Sequence, residues 1–247
     1  MANIIYFITG ANRGVGRGFV EHLLARPNVT MVAGVRDPDS PSSQSLQTIP
    51  TGESSKLIVV KIDSKSTTDP TAAVKKLQDQ GINHLDVVIA NAGISEDMST
   101  VHTVPIAAAW EHVEVNGFGP LYLFQAVYPL LNKSEKPTFV GVGSPLGSIG
   151  DMEKVPYHFA AYGPSKAMLH WMVRKIHFEN ENFVSFVADP GFPQTDMGNA
   201  GARAIGMEKA LHTVEEVVNG MVKDIDGATR ESTGAKYRAW DGSQFLW

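Results

Sequence analysis

The chain has 247 residues, of which 43% are hydrophobic, so it is long enough to bury one sizeable core in a single domain. Its net charge of −5, with basic residues scattered rather than clustered, excludes a typical nucleic-acid binder. The absence of cysteine excludes disulfides, cysteine-ligated zinc and thiol catalysis, and we predict no metal site.

We predict neither a secretory signal nor a membrane span. The first ten residues lack a charged region and a small-residue cleavage site, and they lead directly into the apolar run Ile4–Ile8. No apolar run is long enough to cross a bilayer. We therefore expect a compact cytoplasmic protein that binds neither nucleic acid nor membrane.

A glycine-rich turn separates the first predicted strand from the first predicted helix. Ile4–Ile8 is typical of a strand buried on both faces, and a helical pattern follows from Phe19 to Leu24. Glycines between them would let backbone N–H groups approach a pyrophosphate at the helix N-terminus. The spacing departs from G-x-G-x-x-G, so a purely structural turn remains an alternative. The turn residues predicted to contact a dinucleotide are Gly10, Asn12, Arg13, Gly14, Val15 and Gly16.

Arg36 stands where the second predicted strand, Met31–Val35, ends. At about twenty residues past a dinucleotide turn, an acidic residue would bind the ribose hydroxyls of NAD, whereas an arginine would pair with the extra phosphate of NADP. Arg36 together with Arg13 favours NADP(H). In the alternative, Asp37 binds the ribose and Arg36 is solvated.

Two further predicted strands, Lys56–Ile62 and Leu85–Ile89, flank an amphipathic helical pattern from Pro70 to Gln80. Asp63 closes the first strand, where it either accepts a hydrogen bond from an adenine amino group or caps the turn. Small residues after the second strand would let the backbone lie against a flat ligand, although a tight turn is an equal interpretation. These small-residue positions are Asn91, Ala92 and Gly93.

A long helical pattern from Ala107 to Leu131 contains the polar Asn116 with glycine and proline nearby. This composition is unfavourable inside a helix. It predicts a distortion that frees backbone groups, and such local violations often mark functional sites.

Ser144 follows the predicted strand Phe139–Val142, at the strand end where open parallel sheets bind ligands. A sixth strand is predicted at Phe183–Ala188, and residues 192–212 beyond it form a possible substrate lid, because Ala200 to Gly206 are small and flexible.

The carboxyl-terminal part begins with a helix from Thr213 to Val222, with Thr213 as the cap and Glu216 completing a capping box. A last short strand is predicted at Tyr237–Trp240.

Tyr162 and Lys166 lie one helical turn apart on a predicted helix from Tyr162 to Glu179, with Pro164 in its first turn. A nearby ammonium favours the phenolate, so we expect Lys166 to lower the pKa of the Tyr162 phenol. Such a phenol could exchange a proton near neutral pH, as carbonyl reduction requires. The alternative is a surface tyrosine and lysine on an ordinary helix.

Strands alternate with helices throughout, which predicts a single α/β domain built on a Rossmann-type doubly wound parallel sheet of about seven strands. The right-handed crossover rule then brings the carboxyl ends of the strands to one edge. The residues that fall at this edge are Gly10, Arg36, Asp63, Asn91, Ser144 and Pro190.

This combination of motifs resembles the short-chain dehydrogenase/reductase family along nearly the whole chain. Within the family, the sequence is similar to the fungal branch of norsolorinic acid ketoreductase-like carbonyl reductases. The family motifs are Thr9–Gly16, Asn91-Ala92-Gly93, Asn116, Ser144, the Tyr162/Lys166 pair and Pro190-Gly191. The closer likeness is carried by Tyr162–Lys166, Gln194–Gly198 and Trp240–Gly242.

The resemblance implies a role for each reacting group. Tyr162 would be the general acid in reduction, and Lys166 would lower its pKa and bind the nicotinamide ribose. Ser144 would hold and polarise the substrate carbonyl, and Asn116 would anchor a water that relays protons to Lys166. NADP(H) would carry the hydride. The implied assembly is a homodimer or homotetramer.

Two prolines depart from the family pattern. Pro193 replaces a residue whose N–H commonly bonds the nicotinamide carboxamide, so either Thr195 holds that group instead or cofactor binding is weakened. Pro145 restricts Ser144 to extended conformations and so can re-aim its hydroxyl.

The substrate pocket is predicted to be lined by apolar and aromatic side chains, which favours a bulky, apolar or aromatic ketone. Ordinary packing is the alternative for each of them. The predicted lining is Ser144, Met152, Tyr157, Phe159, Phe192 and Met197.

Three functions are consistent with these residues. The leading prediction is NADPH-dependent reduction of a ketone of secondary metabolism to an alcohol. Pro193 and Pro145 motivate an alternative, a redox-silent member that uses the fold and NADP for a cyclisation or an isomerisation. A cofactor-sensing binding protein is the third.

Overall fold

A computed structural model describes residues 3–247 as one parallel sheet of seven strands, in the order β3-β2-β1-β4-β5-β6-β7. Every neighbouring pair of strands is parallel. The strands are β1 (Ile4–Thr9), β2 (Val29–Val35), β3 (Lys56–Lys61), β4 (Val87–Ala90), β5 (Thr138–Val142), β6 (Val184–Asp189) and β7 (Tyr237–Ala239). The predicted doubly wound sheet is confirmed, and the strand order reverses direction between β1 and β4.

Helices connect the strands on both faces of the sheet. They are α1 (Gly14–Leu24), α2 (Pro41–Gln44), α3 (Asp69–Asp79), α4 (Ile106–His112), α5 (Gly119–Leu131), α6 (Tyr162–Glu179), α7 (Asp196–Ala204) and α8 (Val214–Asp226). Short 3₁₀ turns add Ser45–Thr48, Pro145–Gly147 and Met152–Lys154. Among the described residues, no helix combines the length and the apolar character needed to cross a membrane.

The strands are apolar on both sides because each face of the sheet carries its own core. In β1, Tyr6 and Ile8 pack into the core beneath α1 and α8, whereas Ile5 and Phe7 pack into the core beneath α3, α5 and α6. Side chains alternate between the two faces of a strand. A continuous apolar run is therefore the sequence signature of a central parallel strand.

The predicted distortion in the long helix is confirmed as a π-helical turn, Val113–Phe118, between α4 and α5. Pro120 has no N–H to donate to the carbonyl of Asn116, so the regular α-helical ladder is interrupted at that point. Gly117 lies in the same turn, where a Cβ atom would come within 2.6 Å of the sulfur of Met168 on α6. The π turn therefore lets α6 approach closely and turns Asn116 into the interior.

Two local predictions about the carboxyl-terminal half have opposite outcomes. The capping box at the start of α8 is confirmed, with the Thr213 hydroxyl accepting from the Glu216 N–H at 3.2 Å. The flexible stretch predicted from Ala200 to Gly206 is instead helical as far as Ala204, because Thr195 caps α7 by accepting from the Gly198 N–H. This end of the possible lid is thus an ordered helix.

Candidate active site

The carboxyl ends of β1 and β4 meet where the strand order reverses. The side-chain amide of Asn91 donates to the Thr9 carbonyl at 2.8 Å, and the Thr9 hydroxyl accepts from the N–H groups of Asn91 and Ala92 at 3.1 Å. Asn91 therefore fixes the glycine turn to the neighbouring strand.

The glycine turn has the shape of a phosphate cradle. Gly10 and Gly14 adopt positive φ angles of 64° and 53°. A Cβ atom on Gly16 would lie only 2.2 Å from the Gly10 carbonyl oxygen, so no side chain fits there. Helix α1 starts at Gly14, and Arg13 precedes it without capping it by its side chain. A helix N-terminus with free N–H groups and no obstructing side chains suits a pyrophosphate.

Arg13 and Arg36 are both exposed at this edge of the sheet. The neighbouring Asp37 carboxylate accepts from the Asp39 N–H at 3.0 Å and so closes its own turn. Asp63 does the same at the end of β3, where its carboxylate accepts from the Lys65 N–H at 3.0 Å. The arginines are thus available to an anion, whereas both carboxylates already have backbone partners.

Tyr162, Lys166 and Ser144 are buried together where β5 ends and α6 begins, with exposed fractions of 8%, 4% and 8%. The Lys166 Nζ lies 5.6 Å from the centre of the Tyr162 ring and donates to the Val142 carbonyl at 2.8 Å. The prediction that the helix spacing brings the ammonium to the phenol is confirmed.

The prediction that the pKa of the Tyr162 phenol is lowered is wrong. Burial raises the pKa of Tyr162, and the neighbouring Ser144 hydroxyl opposes that rise only in part. Burial also lowers the pKa of Lys166 to about 8, against the pull of the Asp189 carboxylate. Desolvation disfavours the charged form of both groups, and it is the largest cause of both shifts. Tyr162 is therefore a protonated phenol at neutral pH.

Asn116 is fully buried and ties three elements together. Its amide donates to the Ile94 carbonyl and to the Ser165 hydroxyl, both at 2.9 Å, and its carbonyl accepts from the Ile94 N–H at 2.8 Å. A Cβ atom on Gly93 would lie 3.0 Å from the Asn116 oxygen and 3.6 Å from the Lys166 Nζ. The Asn116 side chain therefore holds the loop after β4 against the start of α6.

Ser144 is extended, with φ −162° and ψ 139°, as the following Pro145 predicts. Its Oγ accepts a long hydrogen bond from the Leu146 N–H at 3.4 Å. Ser148, by contrast, donates to the Leu246 carbonyl at 2.7 Å and accepts from the Asp151 N–H at 3.0 Å. Ser144 is thus the hydroxyl left for a substrate, and Ser148 has a structural position.

The structure accommodates Pro193 because the pairing of this segment with His212 does not need an N–H at position 193. Residues on either side of it pair with His212, since Phe192 accepts from the His212 N–H at 3.0 Å and Gln194 donates to the His212 carbonyl at 2.8 Å. Thr195 lies against the glycine turn, with its Cγ2 atom 3.2 Å from the point where a Cβ on Gly14 would stand. Thr195, which follows Pro190 and Gly191 in the chain, remains the candidate to hold the nicotinamide carboxamide.

An aromatic wall lies beside the buried phenol. The Phe159 and Tyr162 rings are 6.4 Å apart, and Phe192 and Phe159 both approach Gly201 of α7. Met152 and Met197 are 58% and 39% exposed and lie outside the adjoining cavity. That cavity has a volume of about 340 Å³ and is lined by Met98, Pro156, Tyr157, His158, Phe159, Ala204 and Ile205.

Sequence reasoning missed His112, which packs edge-on against the Tyr162 ring at 6.5 Å. Its Nδ1 donates to the Ala108 carbonyl at 2.7 Å, and its Nε2 accepts from the Glu96 N–H at 3.1 Å. No local pattern marks it, because its partner Glu96 lies in a different segment. Sequence reasoning also missed two buried groups that interact electrostatically with Lys166, namely His170 and Asp189.

The comparisons with known proteins agree with this geometry. A family model described as short chain dehydrogenase matches residues 4–226. The chain is 43% identical to the norsolorinic acid ketoreductase of Dothistroma septosporum, over 98% of this chain and 92% of that protein. It is 41% identical to the norsolorinic acid ketoreductase of Emericella nidulans, over 98% and 93% respectively.

Among solved structures, the NADPH-bound carbonyl reductase from chicken fatty liver is similar, with a TM-score of 0.87 and 27% identity over 100% of this chain and 96% of that one. The carbonyl reductase Sniffer of D. melanogaster, at 21% identity and a TM-score of 0.85 over the full length of both chains, shares the fold. With a family match that covers most of its length, this chain belongs to the short-chain dehydrogenase family.

Proposed function

We propose that the protein is an NADPH-dependent ketoreductase, which reduces a bulky, apolar or aromatic ketone of secondary metabolism to an alcohol. The observation that carries the proposal is the burial of Tyr162, Lys166 and Ser144 together at the sheet edge that also holds the glycine cradle. The ketoreductase names of the similar fungal proteins support a ketone as the substrate.

The residues of the cradle fit a dinucleotide. The turn from Gly10 to Gly16 and the N-terminus of α1 would hold the pyrophosphate, and Arg13 and Arg36 would pair with the extra phosphate of NADPH. The small residues Asn91 to Gly93 would face the nucleoside, and Lys166 would reach the nicotinamide ribose. When bound there, NADPH supplies the hydride.

The side chains of this chain supply orientation and a proton. The Ser144 hydroxyl would hold the carbonyl oxygen of the substrate beside the Tyr162 hydroxyl. Because its pKa is raised, Tyr162 keeps its proton until charge develops on that oxygen, which is then a stronger base than the phenolate. Lys166 would stabilise the tyrosinate that remains.

Residues 192–212, which include α7, would control the access of the substrate to the site. Phe192 lies on one side of Gly201, and the cavity beside Phe159 is bounded by Ala204 and Ile205 at the end of the same helix. A shift of α7 would therefore change the width of the aromatic pocket.

The proposal extends to assembly and location. Trp171 and Phe178 are 66% and 63% exposed on one face of α6, and Trp110 of α4 is 65% exposed. Exposed aromatic side chains of this size are typical of protein interfaces. A homodimer or homotetramer through these helices would cover them, and light scattering tests this. A cytoplasmic location is tested by imaging a tagged copy.

The decisive experiment measures NADPH consumption with a panel of aromatic ketones. Tyr162→Phe should lower kcat by about 10²- to 10⁴-fold, because the proton donor is lost, while NADPH affinity is unchanged. Tyr122→Phe is the matched control, since the Tyr122 ring stacks on Phe118 with ring centres 6.2 Å apart, whereas the rings that pack on Tyr162 are those of His112 and Phe159. Wild-type protein that binds NADPH but never consumes it, or Tyr162→Phe protein with full turnover, would refute the proposal.

A further inference from the structure

His170 lies directly behind the catalytic serine. It is one helical turn beyond Lys166 on the buried face of α6, and it is 3% exposed. The N–H of Ser144 donates to its Nε2 at 3.3 Å. The imidazole is thus the hydrogen-bond partner of the Ser144 backbone amide.

The backbone before Ser144 is built around this imidazole. A Cβ atom on Gly143 would come within 2.7 Å of the His170 Nε2 and within 2.4 Å of the Val187 Cγ1. No side chain fits at Gly143, so a glycine is required where the end of β5 passes the ring. The Gly143 N–H itself donates to the Ala188 carbonyl at 2.8 Å, which anchors this residue to β6.

Aromatic side chains hold the imidazole in place. The rings of Tyr237 and Trp247 lie 4.5 Å and 6.4 Å from it, and the Arg174 guanidinium lies over the Trp247 ring at 4.8 Å. The ring therefore has little freedom to move away from the Ser144 amide.

Within residues 3–247, the Nδ1 of His170 and the hydroxyl of Tyr237 make no hydrogen bond of normal geometry, although the Gly147 backbone approaches the imidazole and the Ser144 backbone approaches the phenol. A buried polar atom without a partner costs stability. An apolar side chain at position 170 would avoid part of that cost. The hydrogen bond of normal geometry that the imidazole makes is the one it accepts from the Ser144 N–H.

The protonation state of the His170 imidazole suits a hydrogen-bond acceptor. Burial lowers the pKa of His170 to about 3, and the positive charge of Lys166 acts in the same direction. The ring is neutral at working pH, with its proton on Nδ1 because Nε2 accepts from Ser144.

We propose that His170 is a positioning residue for the reduction, whose imidazole fixes the Ser144 amide and thereby aims the Ser144 hydroxyl at the substrate oxygen. The inference rests on the proposed ketoreductase function. The hydrogen bond between the Ser144 N–H and His170 matters because of Pro145. The proline ring restricts Ser144 to an extended backbone but does not decide where the hydroxyl points.

The test compares two variants in two backgrounds. His170→Phe keeps an aromatic ring of similar size without the acceptor, and it should lower kcat by about 10- to 100-fold while the affinity for NADPH is unchanged. His170→Gln places an amide oxygen near the position of Nε2 and should recover most of that loss. In the Ser144→Ala background, His170→Phe should change kcat by less than about twofold, since the hydroxyl to be aimed is gone.

An equal loss from His170→Phe in both backgrounds, or no loss in the native background, would overturn the inference. Turnover by the wild-type protein in the same assay reports on the ketoreductase function separately. Nitrogen-15 NMR of the histidine side chains gives a readout that needs neither turnover nor a folded variant. It should show His170 as the neutral Nδ1–H tautomer, and a proton on Nε2 would exclude the proposed bond to Ser144.

Discussion

The choice between NADPH and NADH is the prediction that the structure sharpens most. Arg36 comes directly after β2, at the carboxyl edge of the sheet and next to the glycine cradle, and its side chain is exposed. The rival residue for the ribose, Asp37, already accepts from the Asp39 N–H at 3.0 Å. We therefore expect Arg36→Asp to weaken NADPH binding selectively.

The size of the effect follows from the exposure of Arg36. A hydrogen bond to a charged group contributes about 1.5–3 kcal/mol, and solvent screening of an exposed guanidinium favours the lower end of that range. A loss of about 1.5 kcal/mol corresponds to about a tenfold weaker affinity. The affinity for NADH should stay the same or increase, because it lacks the phosphate and an aspartate can bind its ribose.

Fluorescence titration of both cofactors measures this directly. Lys56→Asp is the matched control, because it makes the same change in charge at the opposite, amino-terminal end of β3. A control variant that loses NADPH affinity as strongly as Arg36→Asp would mean that only net charge matters. Unchanged NADPH affinity in Arg36→Asp would refute the pairing of Arg36 with the phosphate.

Two further predictions concern stability. Burial raises the pKa of Asp189 to about 7 from 3.8, so the folded chain binds more protons than the unfolded chain between these values and stability falls as the pH rises. Asp189→Asn should therefore unfold at a higher urea concentration than the native chain at about pH 8 but not at about pH 4; a pH-independent difference would contradict this. Thr213→Ala removes the cap of α8 and should cost about 1 kcal/mol, lowering Tm by about 2–4 °C in a scanning calorimeter.

The elements that we predicted correctly from the sequence are those whose structure is decided by residues close together in the chain. The run Ile4–Ile8 is apolar without alternation, and the two-faced burial of β1 explains this. Helix α6 spans the predicted Tyr162–Glu179 because the proline falls in its first turn. The π turn was visible as an unfavourable Asn116-Gly-Phe-Gly-Pro segment. In each case the residues that decide the structure are neighbours in sequence.

The remaining features depend on contacts between distant segments. The raised pKa of Tyr162 comes from burial by the assembled fold, which helix spacing alone does not reveal. Helix α7 forms from a glycine- and alanine-rich stretch because Thr195 caps it, and its position is set by the pairing of Pro193 with His212. His170 has no sequence signal, because its partner Ser144 lies on another element.

The π turn between α4 and α5 determines where this part of the chain can lose a residue. Each residue of an α-helix rotates the chain by about 100°. Removing one residue within Val113–Phe118 would let this turn close as a regular α-helix, because a π turn holds one residue more than the α-helical turn it replaces. A deletion in α5 beyond Pro120 would instead rotate the helix by that angle and take Leu123 and Val127 out of the core. In the connection from Arg36 to Ser55, changes of length are limited by Leu46 and Ile49, which pack into the core beneath α1 and α8.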